Sequence, residues 1–141
     1  MSSDAVVQGL SLSHLLYVSS LAPGVPVTEV ARIVATARQR NARDGITGLL
    51  VFDGATFCQY LEGPPETVDA LLHRLHTDPR HLEVQLLVDG TVPDGRRRFS
   101  DWRLGYVDSF EHDELGSLRA LRGAAALACF ENLLPRLDVE T

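Results

Sequence analysis

Gln59 lies in the stretch GATFCQYLEG (54–63), between Phe57 and Leu61 at alternate positions of an extended run, which puts a side-chain amide inside an apolar layer. An amide buried without partners costs about 1–3 kcal/mol, so its neighbours must supply both a donor and an acceptor. Tyr17, in SHLLYVS, shares a strand face with Leu15 and carries a hydroxyl of the right kind. In VTEVARIVATARQRN, the residues Ile33, Ala37 and Asn41 fall at i, i+4 and i+8, one stripe that ends in a second amide. In PPETVDALLHRLHTD, the residues Leu71, Arg74 and Asp78 fall at i, i+3 and i+7, a stripe that ends in a guanidinium and a carboxylate. Brought together, these side chains make a slot with apolar walls and polar ends. Such a slot suits the edge of a flat heteroaromatic ring bearing carbonyl and imide groups.

The elements that must position them follow from periodicity. SHLLYVS is short, apolar and β-prone, and SLAPGVP ends it. Val27, Val30, Ala31 and Val34 give the next segment helical spacing, with Glu29 at its favourable N-terminal end. GITGLLVF and TFCQYLE flank Asp53-Gly54-Ala55, a hairpin signal. A second helix starts at the Pro64-Pro65 pair and carries Val68, Leu71, Leu72 and Leu75. LEVQLLVDG and WRLGYV supply two more strands on either side of a Pro-, Gly- and Arg-rich loop. The order βαββαββ predicts an α+β fold, a ferredoxin-like sandwich with two helices on one face of a mainly antiparallel sheet. A helical extension follows from about 111 to 136, and its seven large apolar residues, Leu115 to Leu134, are expected to cap the other sheet face or a second copy.

With 141 residues, 45% of them hydrophobic and 23% charged, one globular unit is expected. The division is 1–11 as a tail, 12–107 as the domain and 108–141 as the helical extension. No run approaches a membrane span and the N-terminus lacks a basic leader, so a soluble, cytoplasmic protein is expected. A net charge of −6 argues against nucleic acid as a partner. Arg96, Arg97 and Arg98 read as a solvated loop or a guard on the sheet edge; all 13 basic residues are arginines. Cys58 and Cys129 have no metal-ligand spacing and read as reduced.

The linked pieces YVSSLA with Tyr17, RNARDGITGLL with Asn41, FCQYLEG with Gln59, DPRH from Asp78 to His81, and RRFSDWRLG with Trp102 resemble the BLUF family, blue-light sensors that use FAD. The resemblance covers roughly 12–107. It implies FAD bound non-covalently between the two helices, with FMN or riboflavin as possible substitutes. Tyr17 resembles the residue that gives an electron and a proton toward the excited flavin, and Gln59 the amide whose hydrogen bonds rearrange afterwards. Asn41 resembles the residue that holds the C4 carbonyl end of the ring. Arg74, Asp78, Arg80 and His81 match contacts on its C2 carbonyl, imide or ribityl-phosphate side. Ile33, Ala37, Ile46, Phe57 and Leu61 would form the apolar bed, with Trp102 and Leu104 on the last strand taking part in the photoresponse.

Two positions depart from the family pattern. Leu104 stands where a methionine is frequent, which removes a weak sulfur acceptor for the glutamine amide, and Arg40 stands where Asn or His is frequent. No enzymatic activity is expected of the domain. About 34 residues follow 107, so output is expected to pass to a separate, unidentified protein or through rearrangement of a homo-oligomer, most simply a dimer. The competing readings are an acylphosphatase-like enzyme, which the prolines of SLAPGVP disfavour because they remove phosphate-binding N–H groups, and a colourless small-ligand module.

Overall fold

Nine β-prone residues, Ser13–Leu21, form β1, and Pro23 and Pro26 close it before helix α1, Thr28–Asp44. The computed structural model describes residues 11–108 and 113–140, and the order continues with β2 (Thr47–Phe52), β3 (Thr56–Gly63), α2 (Pro65–Thr77), β4 (His81–Thr91) and β5 (Trp102–Tyr106). Two short helices, α3 (Glu114–Ser117) and α4 (Gly123–Leu133), each run into a 3₁₀ turn, and a two-residue strand β6, Asp138–Val139, follows. The strands form one sheet in the order β4-β1-β3-β2-β5-β6, antiparallel except where β5 lies parallel to β2. This is the expected ferredoxin-like α+β sandwich with a C-terminal helical extension.

The sheet carries an apolar layer on each face. Toward α1 and α2 lie Leu15, Leu50, Phe57, Leu61 and Leu104, packed on Val30, Ile33, Val68 and Leu71. The opposite face presents Leu16, Val18, Leu49, Val51, Cys58 and Tyr60, which Leu115, Leu118, Ala126, Phe130 and Leu133 of the C-terminal segment cover. The alternation along β3 is therefore the one read from the sequence, and the tail caps the second face.

Two details differ from the sequence reading. The buried stripe of α1 is Val30, Ile33, Val34 and Asn41, while Val27 precedes the first turn and is 60% exposed, and Ala31 faces solvent. Ile33 draws the stripe around by one position. The β6 strand is too short to leave a periodic signal. The expected start of the helical tail at 111 falls outside the described residues.

A bulge in β4 has a larger effect on the site. Between the pairs Val18↔Gln85 and Ser20↔Leu82 the register gains one residue on β4, and Glu83 takes a left-handed backbone there, φ 54°. Because side chains alternate, that extra residue exchanges faces for everything before it. His81 consequently turns inward, buried and 4.7 Å from the Phe57 ring, while Leu82 turns out and is 44% exposed.

Candidate functional site

The helix-facing layer opens between α1 and α2 into a slot that reaches solvent, lined by Tyr17, Gln59, Asn41, Arg74, Asp78, Arg80, His81 and Trp102 among others. Tyr17 and Gln59 are directly paired across β1 and β3, which places them side by side on one face. The Gln59 amide donates from Nε2 to Tyr17 Oη at 2.5 Å and accepts at Oε1 from Trp102 Nε1 at 2.8 Å. Those two bonds orient it: an indole N–H can only donate, so the oxygen must face Trp102. Burial raises the Tyr17 pKa, with the bond from Gln59 opposing, so the phenol is neutral at physiological pH.

Trp102 reaches Gln59 from two strands away, at the level of Gly48 on the intervening strand. Trp102 pairs with Gly48 on β2, which pairs with Leu61 on β3. No side chain on the intervening strand obstructs the indole at that level. A Cβ on Gly48 would lie 2.0 Å from the Tyr60 carbonyl oxygen, so the position admits only glycine. Arg38 lies over the outer face of the indole, 5.9 Å from its centroid.

Asn41 is 1% exposed, and neither Nδ2 nor Oδ1 has a hydrogen-bond partner among the described residues. It does not cap α1. Gly45 does that with φ 72°, its N–H bonding to the Asn41 carbonyl, which leaves the side-chain amide free to point into the slot. Arg74 likewise has Nε and one terminal nitrogen buried and unpartnered, and its pKa is lowered by burial and then by the nearby Arg40 charge. A carbonyl beside a ring N–H satisfies an amide with both a free donor and a free acceptor, and a further carbonyl or anionic oxygen satisfies the guanidinium. The donor set thus fits the polar edge of a flavin ring.

Asp78 and Arg80 are committed to one another, with Arg80 Nη2 2.8 Å and Nε 3.0 Å from the carboxylate oxygens and Nη1 3.4 Å from Glu29. The bonds from Arg80 hold the Asp78 carboxyl below its usual range. His81 Nδ1 lies 3.0 Å from Ser19 Oγ, and burial lowers its pKa.

Of the expected residues, Tyr17, Ile33, Ala37, Asn41, Gln59, Arg74, Asp78, Arg80, His81 and Trp102 line the slot. Phe57, Leu61 and Leu104 do not reach its wall; they are sealed in the core behind it. Phe57 and Leu61 stand about 7 Å to either side of Gln59 along β3, where side chains of the layer cover them. Ile46 borders an adjoining cavity with Asn41 and Trp102. Thr36, Arg40, Leu50, Leu71 and Leu75 complete the lining. Thr36 and Arg40 widen the Ile33–Ala37–Asn41 stripe by one position, a width its spacing allows. Leu50 could be found only from its pairing with Gln59.

Residues 12–105 match the family described as "BLUF: Sensors of blue-light using FAD". Among curated proteins, the chain is 33% identical over 110 residues to the "Blue light- and temperature-regulated antirepressor BluF" of Escherichia coli (strain K12), covering 78% of this chain and 27% of that protein. It is 38% identical over 74 residues to the "Photoactivated adenylate cyclase subunit beta" of Euglena gracilis, covering 52% of this chain and 9% of that one. The chain therefore spans about a quarter or less of the length of these two relatives. Among solved structures, the dark state of BlrB, described as a BLUF protein, superposes with a TM-score of 0.69 at 31% identity, covering 88% of this chain and 95% of that one. The acylphosphatase-like and colourless readings find no support in these similarities. The family match covers residues 12–105 and the α+β sandwich agrees with the solved structure, and the chain belongs to the BLUF family of blue-light flavin sensors.

Proposed function

We propose that the chain binds FAD non-covalently in the slot between α1 and α2 and that the Gln59 amide converts absorbed blue light into a change at Trp102. The observation that carries this reading is the oriented chain Trp102–Gln59–Tyr17 beside the buried Asn41 and the half-buried Arg74, each with buried polar atoms that lack a partner among the described residues. Asn41 and Arg74 would hold the ring's polar edge, Ile33, Ala37 and Leu50 its faces. The arginine pair Arg40 and Arg74 supports a phosphorylated flavin over riboflavin, because two neighbouring cations at the slot are stabilised by an anion. When bound, the flavin supplies the blue-light absorption and an electron acceptor.

The protein's part is a two-position amide. With its oxygen toward Trp102, Gln59 serves an indole donor and a phenol acceptor. Turned by half a rotation, its oxygen accepts the Tyr17 hydroxyl proton, but its NH₂ then faces the indole N–H, donor against donor. Each orientation satisfies one neighbour at the other's expense. Tyr17 would give an electron and a proton together toward the excited flavin and take both back; its phenol, lacking the proton meanwhile, would release the amide to turn, and Trp102 must then give way, carrying the change into β5. Glutamate, asparagine or leucine cannot take both roles at that distance.

Output through a separate protein, or through a homo-oligomer that rearranges, completes the proposal. Tyr106 on β5 and Leu82 on β4 are exposed apolar side chains available for such contacts. The test is absorption spectroscopy of the flavin-loaded protein. Blue light should shift the flavin band to the red, reversibly in darkness, and acid denaturation should release FAD into the supernatant. Tyr17→Phe and Gln59→Leu should retain flavin and lose the shift. A normal shift in Gln59→Leu would refute the switch.

A further inference from the structure

On the sheet face away from the slot, Glu62 is fully buried although it ends in a carboxylate. Its oxygens accept from the backbone N–H of Arg98 at 2.8 and 2.9 Å, the N–H of Phe99 at 2.8 Å, and the hydroxyls of Thr47 and Tyr60 at 3.2 Å. A carboxylate withdrawn from water is tolerated only with donors of this number around it. Two of the four groups belong to the loop that delivers β5. The same loop is tied down nearby: the Arg97 guanidinium donates to Gly45 O and Thr47 Oγ1 at 2.9 Å and to Glu62 O at 3.3 Å, and Gly48 N donates to Asp101 O at 2.9 Å. Residues 97, 98, 99 and 101 are thus attached to the ends of β2 and β3. Trp102 is the next residue, and β5 has only five residues of its own to hold it.

We propose that Glu62 is a positioning residue for the photoactive centre: by accepting the backbone amides of Arg98 and Phe99 it fixes where β5 begins and so holds the Trp102 indole inward against Gln59. Gln59 and Glu62 lie on opposite faces of one strand, so β3 carries both the amide and the clamp that presents its partner. Without the clamp the loop keeps only the Arg97 and Asp101 contacts to the ends of β2 and β3, and a shift at the first residue of a short strand turns the indole away. The inference rests on the switch reading above, in which Trp102 is the group the amide reports to.

Trp102 is the single tryptophan of the chain, so its indole N–H gives one resonance in a ¹H–¹⁵N spectrum. The spectrum is recorded on the full, flavin-loaded protein in darkness and needs no light response. A failure of the switch reading would show separately, as an unshifted flavin band in the unsubstituted protein. Glu62→Gln keeps the volume but sets an NH₂ donor against backbone donors. The indole resonance should move and its proton should exchange with solvent about tenfold faster or more. Arg97→Ala, an exposed change, should move the same signal in the same direction by less, and it decides the matter if Glu62→Gln does not fold. An indole signal unmoved in the folded variants overturns the proposal, whether or not the melting midpoint falls, because a merely structural clamp would lower stability without touching the indole.

Discussion

Gln59 on β3 and Trp102 on β5 are joined by a hydrogen bond of 2.8 Å, indole to amide oxygen, across an intervening strand whose residue at that level is Gly48. Leu104 lies two residues further along β5 and pairs with Leu50, which pairs in turn with Gln59. The two β5 residues therefore approach the amide by different routes, one over a glycine and one behind a leucine. In the proposed switch, once the amide turns and Trp102 withdraws, neither the indole nor the Leu104 side chain offers the flipped NH₂ an acceptor.

That missing acceptor predicts the effect of Leu104→Met. The longer thioether is of similar volume, packs at little cost, and offers a weak acceptor past Leu50 once Trp102 has moved. Dark recovery after a blue flash should slow about two- to fivefold, as a contact of about 0.5–1 kcal/mol in the lit state implies. The dark spectrum should barely change. Equal or faster recovery would show that position 104 does not stabilise the lit state.

Asn41→Leu should act in opposite directions with and without the cofactor. In the flavin-free protein it removes two buried, unpartnered polar atoms, a relief of about 1–3 kcal/mol, and should raise the melting midpoint. With flavin it would remove the proposed bonds to the ring edge, and affinity should fall about tenfold or more. Calorimetry of the two forms and a flavin titration test this. Unchanged affinity would place the ring edge elsewhere.

Acidification should weaken the fold. Burial, first of its causes, lowers the pKa of His81 below 6.5, and burial followed by the Arg98 charge does the same for His14. The unfolded imidazoles take up protons near pH 6.5 and the folded ones only at lower pH. The stability they contribute is complete above 6.5 and declines as pH falls from there toward the folded values. The melting midpoint should drop across this window, and the double variant His14→Gln, His81→Gln should flatten the drop. A midpoint that rises on acidification contradicts this.

Deleting residues 109–141 should leave flavin binding intact and cause association. The slot draws its lining from residues before 103, but Leu16, Val18, Leu49, Val51 and Tyr60 on the far sheet face lose Leu115, Leu118, Phe130 and Leu133. Each large apolar side chain so uncovered costs about 1.5–3 kcal/mol. Light scattering should show aggregates. A truncated form that stays soluble and no larger than the full-length assembly would mean that the tail is dispensable for covering the sheet.

Much of this site was legible before any coordinates. Period two along β3 put Gln59 on the Phe57–Leu61 face, period 3.6 put Asn41 and Arg74 on converging stripes, and the order of elements named the sandwich, because strand alternation and helical pitch are local geometry. What the linear sequence could not supply was register. Leu50 enters the slot, and Trp102 passes over Gly48, only because β2, β3 and β5 pair as they do. His81 faces inward only because one extra residue at Glu83 exchanges the faces of β4. The burial of Glu62 depends on a loop more than thirty residues away folding back to donate to it. Each of these is a pairing between distant segments whose alternatives differ by a single residue of slip. Such choices are made by the packing of whole layers, so tertiary structure decided them while periodicity alone determined the faces.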